Sequence, residues 1–166
     1  DFLWRIHKAV PAAGMIGVFN RSHYEDVLAV RVHQIIPESV WRPRYEQINQ
    51  FESLLNDTGT KIVKIFLHIS KQEQKERFEE RLQIPEKNWK FSHDDLEKRK
   101  YWDDYRIAFQ EMLERCTTDY APWHVIPADQ KWYRNVAVAN LLVTTLREMD
   151  PQYPMPPSDL DDVVVE

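Results

Sequence analysis

Short apolar runs, separated by segments of mixed character, are the strongest pattern in this chain. Three of these runs, at residues 15–19, 62–67 and 123–126, are rich in β-branched side chains. Each run is nearly continuous rather than alternating, which is typical of strands that are buried on both faces of a parallel sheet. The pattern therefore predicts three parallel strands.

Helical spacing of apolar residues fills the intervals between these runs. One helix is predicted to begin after Pro43, to place Tyr45 and Ile48 on one face, and to end at the Asn-Asp-Thr-Gly turn of residues 56–59. Another is predicted over residues 132–149. Strands that alternate with helices predict an α/β layered domain.

Two capping signals frame a highly charged region in the middle of the chain. Ser70 is followed three residues later by Glu73, and Ser92 in the same way by Asp95. A hydroxyl and a carboxylate at this spacing can each satisfy a free backbone N–H group, so both pairs predict a helix start. An apolar stripe then continues to Cys116, which gives the second helix a buried face.

Composition and charge narrow the class of protein. The net charge is −5, and five acidic residues lie after Met149 with no Lys or Arg among them. The preceding part is therefore neutral. Together with four prolines in the last segment, this predicts a domain over residues 1–149 and a Pro-rich acidic tail over residues 150–166. Bulk charge gives no indication of nucleic acid or an anionic membrane as a partner.

Cysteine and glycine content set two further limits. Cys116 is the single cysteine, which excludes an internal disulfide and a thiolate metal cluster and favours inert burial. No apolar run approaches about 18 residues, so a cytoplasmic protein is expected. Only 3 glycines are present, and neither G-x-x-x-x-G-K nor G-x-G-x-x-G occurs. These residues therefore contain no Gly-rich phosphate loop.

Residues 19–26 contain the densest group of polar and charged side chains that could carry chemistry. This segment lies at the end of the first predicted strand. Ligands of open α/β sheets collect at the carboxyl ends of strands. Arg21 offers a planar fork for phosphate oxygens, whereas Glu25 and Asp26 offer the oxygen ligands that Mg²⁺ prefers. A polar strand-to-helix turn, in which one of these residues acts as a cap, explains the same pattern equally well.

A basic cluster begins after the first capping signal and continues past the second. Its cations are Arg77, Arg81, Lys87, Lys90, Lys98, Arg99 and Lys100. On a helical hairpin they would form a mobile lid that lowers positive charge onto a polyanion. Neighbouring acidic residues neutralise most of this charge, so pattern alone favours a solvated surface hairpin. His68, at the end of the second predicted strand, is by the same standard more often structural than catalytic.

Several short motifs, taken in order, resemble the polyphosphate kinase 2 family. They are D-F-L-W-R at residues 1–5, F-N-R-S-H-Y-E-D-V-L at 19–28, F-L-H-I-S-K at 66–71, W-K-F at 89–91, W-D-D-Y at 102–105, A-P-W at 121–123 and P-A-D-x-K-W-Y at 127–133. The resemblance implies a three-layer P-loop kinase-like parallel sheet flanked by helices, with a helical lid at about residues 72–105. It also implies transfer of a terminal phosphoryl group from inorganic polyphosphate to ADP, AMP or both.

The resemblance further implies roles for individual residues. The catalytic residues would be Asn20, Arg21 and Glu25, and the metal ligand would be Asp26. The nucleotide would be bound by Arg5 and Lys131. Polyphosphate would be held in the lid by Arg77, Arg81, Lys87 and Lys90. The cofactor would be Mg²⁺, for which Mn²⁺ can substitute. Many family members have an aspartate where this chain has Asn20, and the Asn form resembles the subgroup that phosphorylates both AMP and ADP.

The sequence departs from the family pattern in one respect, the Walker A loop. The family's Walker A loop lies N-terminal to the D-F-L-W-R motif and is absent from these residues, and its strand would lie between residues 15–19 and 62–67. Without that strand two buried sheet edges stay unpaired, so we expect the Walker A segment to be present as a separate or nicked chain. This chain alone would be inactive. A homo-oligomer is also expected, with neither a membrane nor nucleic acid as partner.

Two alternative functions remain open on this pattern. An ATP-dependent nucleoside monophosphate kinase would use the same sheet edge with a different phosphoryl donor. A non-catalytic module would instead hold polyphosphate or single-stranded nucleic acid on the basic hairpin and its aromatic residues. Comparison of ATP with polyphosphate as donor separates the two kinases, and turnover separates both from the binding module.

Overall fold

Two parallel strands form the sheet in the computed structural model, which describes residues 1–156. Strand β1 (Lys64–His68) pairs with β2 (Trp123–Pro127), with Lys64 opposite Trp123 and His68 opposite Pro127. Parallel strands need a long crossover connection, and here the charged region and the helix after it supply it. The second and third predicted strands are thus confirmed.

Helices make up most of the remaining structure. Within residues 1–156 they are α1 (Trp4–His7), α2 (Ala29–Val32), α3 (Glu38–Trp41), α4 (Arg44–Asp57), α5 (Lys71–Gln83), α6 (His93–Arg99), α7 (Trp102–Cys116) and α8 (Lys131–Met149). Short 3-10 helices cover His23–Asp26 and Pro85–Lys90. The fold is therefore α/β with a small parallel sheet, as predicted at that level.

The hydrophobic core lies between α4 and α7, with the N-terminal short helices packed against them. Ile48 of α4 and Met112 of α7 are fully buried. Each aliphatic side chain buried in this way contributes about 1.5–3 kcal/mol to folding. Phe109 stacks on Phe66 of β1 with ring centroids 4.5 Å apart, which joins the sheet to the core. Cys116 is also buried in this core, so its predicted burial is confirmed.

The first predicted strand is wrong within the described residues. Residues 15–19 run without regular secondary structure and make no strand pair in the described part of the chain. Val18 is 89% exposed, and Met15 and Ile16 are also exposed. An apolar run becomes a strand only when a neighbouring strand satisfies its backbone groups, and no such neighbour lies beside it among residues 1–156.

The charged hairpin, residues 71–105, begins at a cap that only half matches its prediction. Ser70 Oγ accepts a hydrogen bond from the Glu73 N–H at 3.0 Å, as a capping box requires. The reciprocal bond is absent from the described contacts, because the Glu73 carboxylate accepts from Arg77 at 2.7 Å. The Ser70 N–H instead donates to Asp129 Oδ1 at 2.7 Å. The start of α5 is therefore tied to the loop after β2.

The second capping signal also marks a helix start. Ser92 Oγ accepts from the Asp94 N–H at 3.2 Å, and α6 begins at His93. The helical path breaks at Lys100 and Tyr101 before α7 continues the apolar stripe to its last residue. The charged hairpin thus contains two separate helices and a 3-10 turn before α7.

The last helix, α8, packs along β2 with one side and leaves the other side exposed. Thr145 lies on the packed side, whereas Trp132, Val136 and Leu146 are exposed. Residues 151–156 have no regular structure, and the rest of the predicted acidic tail lies outside the described residues. No helix within residues 1–156 combines the length and apolar character that a membrane crossing requires.

Candidate functional site

The polar segment of residues 19–26 presents one arginine to solvent on a strained backbone. Arg21 has a φ of 63°, which lies in the left-handed region, and its side chain is 74% exposed. Such a backbone costs a non-glycine residue about 1–2 kcal/mol. Ser22 then caps the 3-10 helix by accepting from the Tyr24 N–H at 3.4 Å. The predicted cap and the predicted functional arginine therefore coexist in the same turn.

Among residues 1–156, Arg21 is held by one loose ion pair. Its Nε lies 3.4 Å from Glu25 Oε1, four residues further along the chain. Exposed pairs of this kind are worth about 0–1 kcal/mol, so the guanidinium is available to a phosphate group. Asn20 is also exposed beside it. Strained, exposed residues of this type concentrate at functional sites.

The far end of the charged hairpin lies close to this segment. Burial raises the pKa of the Tyr105 hydroxyl above its ordinary value, and Glu25 adds to that rise. Asp94 raises the pKa of Lys98 through a hydrogen bond, and Arg21 is near enough to oppose the rise. The structure thus brings Arg21, Glu25 and a hairpin lysine into one electrostatic neighbourhood. Lys98 was part of the predicted basic cluster and was not singled out as a site residue.

A buried polar cluster supports the segment from behind. Lys64 Nζ donates to Glu52 Oε2 at 2.6 Å, to the Tyr24 hydroxyl at 2.9 Å and to the Cys116 carbonyl at 2.6 Å. The Tyr24 hydroxyl donates to the other Glu52 oxygen at 2.8 Å. Burial raises the pKa of Tyr24 far above its ordinary value, and the Glu52 carboxylate raises it further.

This cluster escaped prediction, although the sequence carries a signal for it. Lys64 interrupts an otherwise apolar strand run, and Glu52 lies one residue after Phe51 on the apolar side of α4. A lysine buried in a strand needs an acidic partner, because an unpaired buried charge is very costly. A search for that partner leads to the buried glutamate of the adjacent helix.

Asp26, the predicted metal ligand, accepts hydrogen bonds from two arginines. Its Oδ2 lies 2.7 Å from Arg5, and its Oδ1 lies 3.1 Å from Arg44. Both carboxylate oxygens are thus engaged by guanidinium groups. Arg5, a predicted nucleotide-binding residue, is two-thirds exposed despite this contact, and Arg44 was missed. The metal role of Asp26 and the nucleotide role of Arg5 stay predictions.

The hairpin cations have different surroundings. Arg77 donates to the carbonyl of Ala128 at 2.7 Å, which ties α5 to the end of β2. Arg81 pairs with Asp95 at 3.4 Å. Lys90 lies over the ring of Trp89, 5.0 Å from its centroid, and is exposed. One of these predicted lid residues is thus anchored, one pairs within the hairpin and one faces solvent.

Lys87 and Lys131 approach the same carboxylate. Lys87 Nζ donates to Glu80 Oε1, and Lys131 Nζ lies 4.0 Å from Glu80 Oε2. The structure therefore brings together two residues that were predicted to serve different substrates, polyphosphate and nucleotide. Glu80 is one of the acidic residues that neighbour the basic cluster of the hairpin.

A shallow cavity of about 300 Å³ opens where the two strands end. His68, Asp129, Trp132 and Tyr133 line it. The carboxyl ends of parallel strands are a usual position for ligands. His68 makes no hydrogen bond to a carboxylate among the described contacts, which leaves its predicted structural role untested.

Carboxylates do not gather into a metal site within residues 1–156. No group of three or more His, Cys, Asp or Glu side chains lies together there in a way that could hold an ion. Mg²⁺ in phosphate-transfer sites usually needs one or two carboxylates plus the substrate's own oxygens. Glu25 is the candidate carboxylate that stands beside Arg21.

Sequence comparisons identify relatives over almost the whole chain. A family model described as Polyphosphate kinase 2 (PPK2) matches residues 1–154. The chain is 51% identical over 166 residues to an AMP/ADP-polyphosphate phosphotransferase of Meiothermus ruber, covering 100% of this chain and 62% of the relative. It is 45% identical over 166 residues to an ADP-polyphosphate phosphotransferase of Rhodopseudomonas palustris, covering 93% of this chain and 57% of that protein.

Solved structures agree with these relatives. The crystal structure of polyphosphate kinase 2 from Arthrobacter aurescens TC1 superposes with a TM-score of 0.93 at 51% identity, over 98% of this chain and 57% of that one. A putative polyphosphate kinase 2 from Pseudomonas aeruginosa superposes with a TM-score of 0.86 at 33% identity, over 92% of this chain and 33% of that one. The chain spans about three-fifths of the length of the two curated relatives.

Proposed function

Because this chain belongs to the polyphosphate kinase 2 family, we propose that it is part of a polyphosphate-dependent nucleotide phosphotransferase. The enzyme would move a terminal phosphoryl group from inorganic polyphosphate to ADP and AMP. The Meiothermus ruber relative at 51% identity is named for both nucleotides, which supports a dual acceptor here.

The exposed, strained Arg21 is the observation that carries this proposal. In the reaction, an oxygen of the nucleotide's terminal phosphate attacks the terminal phosphorus of polyphosphate. The bond to the bridging oxygen breaks, and the chain leaves one phosphate shorter. Such a transfer needs positioning and charge neutralisation more than covalent chemistry. Arg21 would hold equatorial phosphate oxygens, and exposed Asn20 would contact the same group.

The charged hairpin would act as the lid in this proposal. Arg81, Lys87 and Lys90 lie in the hairpin or at its central turn, where they can approach a polyanion together. Arg77 would contribute differently, because its guanidinium already holds the end of β2. Closure of such a lid excludes water and concentrates positive charge on the transferred group.

Mg²⁺ would supply further neutralisation of phosphate charge, and Mn²⁺ could replace it. Residues 1–156 do not form an ion site by themselves, and the oxygens of Asp26 are engaged by Arg5 and Arg44. Glu25 is the carboxylate that best fits a metal role, since its only described ion pair is the loose one with Arg21. In this arrangement Asp26 instead orients the two arginines, and Arg5 keeps its exposed guanidinium for nucleotide phosphate.

A larger P-loop sheet is the finer part of the fold proposal. The exposed apolar residues 15–19 and the two-stranded sheet would gain a common neighbour if a further parallel strand paired between residues 15–19 and β1. That strand would bring the Walker A loop from a segment outside this sequence. Residues 1–149 would then be part of one catalytic domain, in a cytoplasmic homo-oligomer.

A donor and acceptor matrix tests the proposed function. The full-length protein is incubated with polyphosphate or ATP as donor and with AMP, ADP or GDP as acceptor, and nucleotide products are separated by chromatography. We expect ATP from polyphosphate and ADP, and ADP from polyphosphate and AMP. Transfer that occurs only from ATP would replace this proposal with a nucleoside monophosphate kinase. Binding of polyphosphate without any product would replace it with a binding module.

A further inference from the structure

Glu80 lies at a junction between the charged hairpin and the body of the domain. Lys87 Nζ, from the 3-10 turn of the hairpin, donates to Glu80 Oε1. Lys131 Nζ, at the start of α8, lies 4.0 Å from Glu80 Oε2. Arg77 precedes Glu80 by one turn of α5. These cations hold the pKa of the Glu80 carboxyl below its ordinary value, with the Lys87 hydrogen bond as the largest cause.

The two lysines approach Glu80 from different elements, whereas Arg77 acts on it only as a nearby charge. Lys87 belongs to the hairpin turn, Lys131 to the helix after β2, and Arg77 is fixed by Glu73 and by the Ala128 carbonyl. The Glu80 carboxylate therefore shares its two oxygens between lysines of two separate elements. A phosphate group offers the same arrangement of acceptor oxygens with more negative charge.

The ion pairs around Glu80 are weak enough to exchange. The Glu80 side chain is 39% exposed, Lys87 is 36% exposed and Lys131 is 59% exposed. Exposed pairs between such groups contribute about 0–1 kcal/mol, because water competes for both partners. A bound polyanion can therefore replace one carboxylate without loss of a strong interaction.

We propose that Glu80 competes with a substrate phosphate group for Lys87 and Lys131. In the free protein its carboxylate bridges the two lysines, and a phosphate group of a bound substrate displaces it. This inference rests on the proposed function, which supplies polyphosphate and nucleotide as the two sources of phosphate. Glu80 thereby weakens substrate binding and eases release of the shortened chain or the product nucleotide.

Glu80→Gln in the full-length protein tests this competition, with Glu79→Gln as its matched control. Both changes remove one negative charge from α5 and leave an amide of the same size. Glu79 instead faces Lys75, 3.6 Å away on the same helix. Dissociation constants for inorganic polyphosphate and for ADP are measured by calorimetry for both variants and for the unmodified protein.

We expect Glu80→Gln to bind one of the two ligands about two- to fivefold more tightly, and Glu79→Gln to stay within about 1.5-fold. The ligand whose affinity rises identifies the phosphate that meets Lys87 and Lys131. Adding Lys131→Ala to Glu80→Gln should remove most of the gain. Equal affinities for the two glutamine variants, or weaker binding by Glu80→Gln, would overturn the competition.

The same measurements separate this proposal from the proposed function. If the unmodified protein binds polyphosphate but transfers no phosphoryl group, the proposed function fails while the binding comparison still decides the role of Glu80. If it binds neither polyphosphate nor ADP, the competition is overturned as well. Thermal unfolding of both variants checks that neither substitution loosens the hairpin.

Discussion

Two lysine–glutamate pairs in this molecule have the same chemistry and opposite surroundings. The Lys64–Glu52 pair lies behind the Arg21 segment. Its Nζ and Oε2 atoms are 2.6 Å apart, and the two side chains are 5% and 1% exposed. The Lys75–Glu79 pair lies on α5 at 3.6 Å, with side chains 56% and 51% exposed. Burial removes the water that would otherwise solvate either partner alone. Removal of one partner should therefore lower the folding stability strongly for the buried pair and very little for the exposed pair.

This contrast divides the molecule into a fixed part and an adaptable part. The buried cluster joins Tyr24, α4, β1 and the end of α7, and so fixes the segment from which Arg21 projects. Several hairpin charges, in contrast, form exposed pairs for which water competes. A phosphotransferase of the proposed kind needs both properties, because it must place one phosphate firmly and also release a long polyanion.

Glu52→Ala should break the comparison most strongly. It leaves the Lys64 ammonium buried without its carboxylate, so we expect the free energy of unfolding to fall by about 3–5 kcal/mol. Urea unfolding followed by fluorescence measures this loss. Glu46→Ala is the control on the same helix, since Glu46 is exposed and its one side-chain hydrogen bond in the described part of the chain is from Gln50. Similar small losses for both variants would show that burial does not set the value of the pair.

Arg21→Ala tests the part of the site that the buried cluster supports. Loss of one phosphate-binding donor should cost about 2–4 kcal/mol of transition-state stabilisation, which lowers kcat/KM for transfer from polyphosphate to ADP by about 30- to 1000-fold. Folding stability should change little, because the side chain is exposed. Arg106→Ala removes another exposed arginine and should leave kcat/KM within about twofold. A result for Arg21→Ala within a factor of a few would reject its assigned role.

Alkaline pH should weaken the buried region, because its thiol and tyrosine hydroxyl are held protonated by burial. Burial raises the pKa of Cys116 from 9.0 to about 12, and it raises that of Tyr24 as well. The folded state thus keeps protons that the unfolded state loses, so this stability is complete below about pH 9 and is lost as pH rises toward 12. We expect the free energy of unfolding to fall by about 1 kcal/mol between pH 9 and pH 10.

Urea unfolding at several pH values measures that slope. Cys116→Ala lowers stability at every pH because it leaves a small cavity, but it should flatten the slope by the share that the thiol contributes. A slope that is identical in this variant would mean that the thiol keeps an ordinary pKa in the folded protein.

Lys75→Ala should give the smallest effect of the series. The Lys75–Glu79 pair is open to water on both sides, so its loss should change the free energy of unfolding by less than about 0.5 kcal/mol. The change should shrink further in 1 M salt, which screens exposed charges. A loss above about 1 kcal/mol in urea unfolding would show that the hairpin charges are more rigidly coupled than their exposure implies.

Periodicity predicted the elements whose partners lie within the chain. Helix α4 and strand β2 start and end close to the predicted residues. Helix α4 packs against α7 in the core, and β2 pairs with β1. Residues 15–19 carry an equally apolar pattern but have no strand beside them among the described residues. A pattern of side chains reports a tendency to be buried, whereas a strand also needs a second backbone for its hydrogen bonds.

The sequence predicted which residues belong to the candidate site better than it predicted which of their side chains contact each other. The exposed Arg21 follows from a polar turn after an apolar run, but local sequence gives no hint that Asp26 meets Arg5 and Arg44. Such contacts join residues that are distant in sequence, and no helical or strand spacing encodes them. Lys64 is the exception, since a charge inside an apolar strand already demands a buried partner.

Two hydrogen bonds hold the start of α5 against the body of the domain. The Ser70 N–H is held by Asp129, and Arg77 is held by the Ala128 carbonyl, so the first two turns of α5 are pinned to the loop after β2. Beyond Arg77 the helix extends only about 9 Å to its end, at 1.5 Å per residue. If the hairpin closes as the proposed lid, we expect the pinned start of α5 to stay in place and the turn that carries Lys87 and Lys90 to move instead.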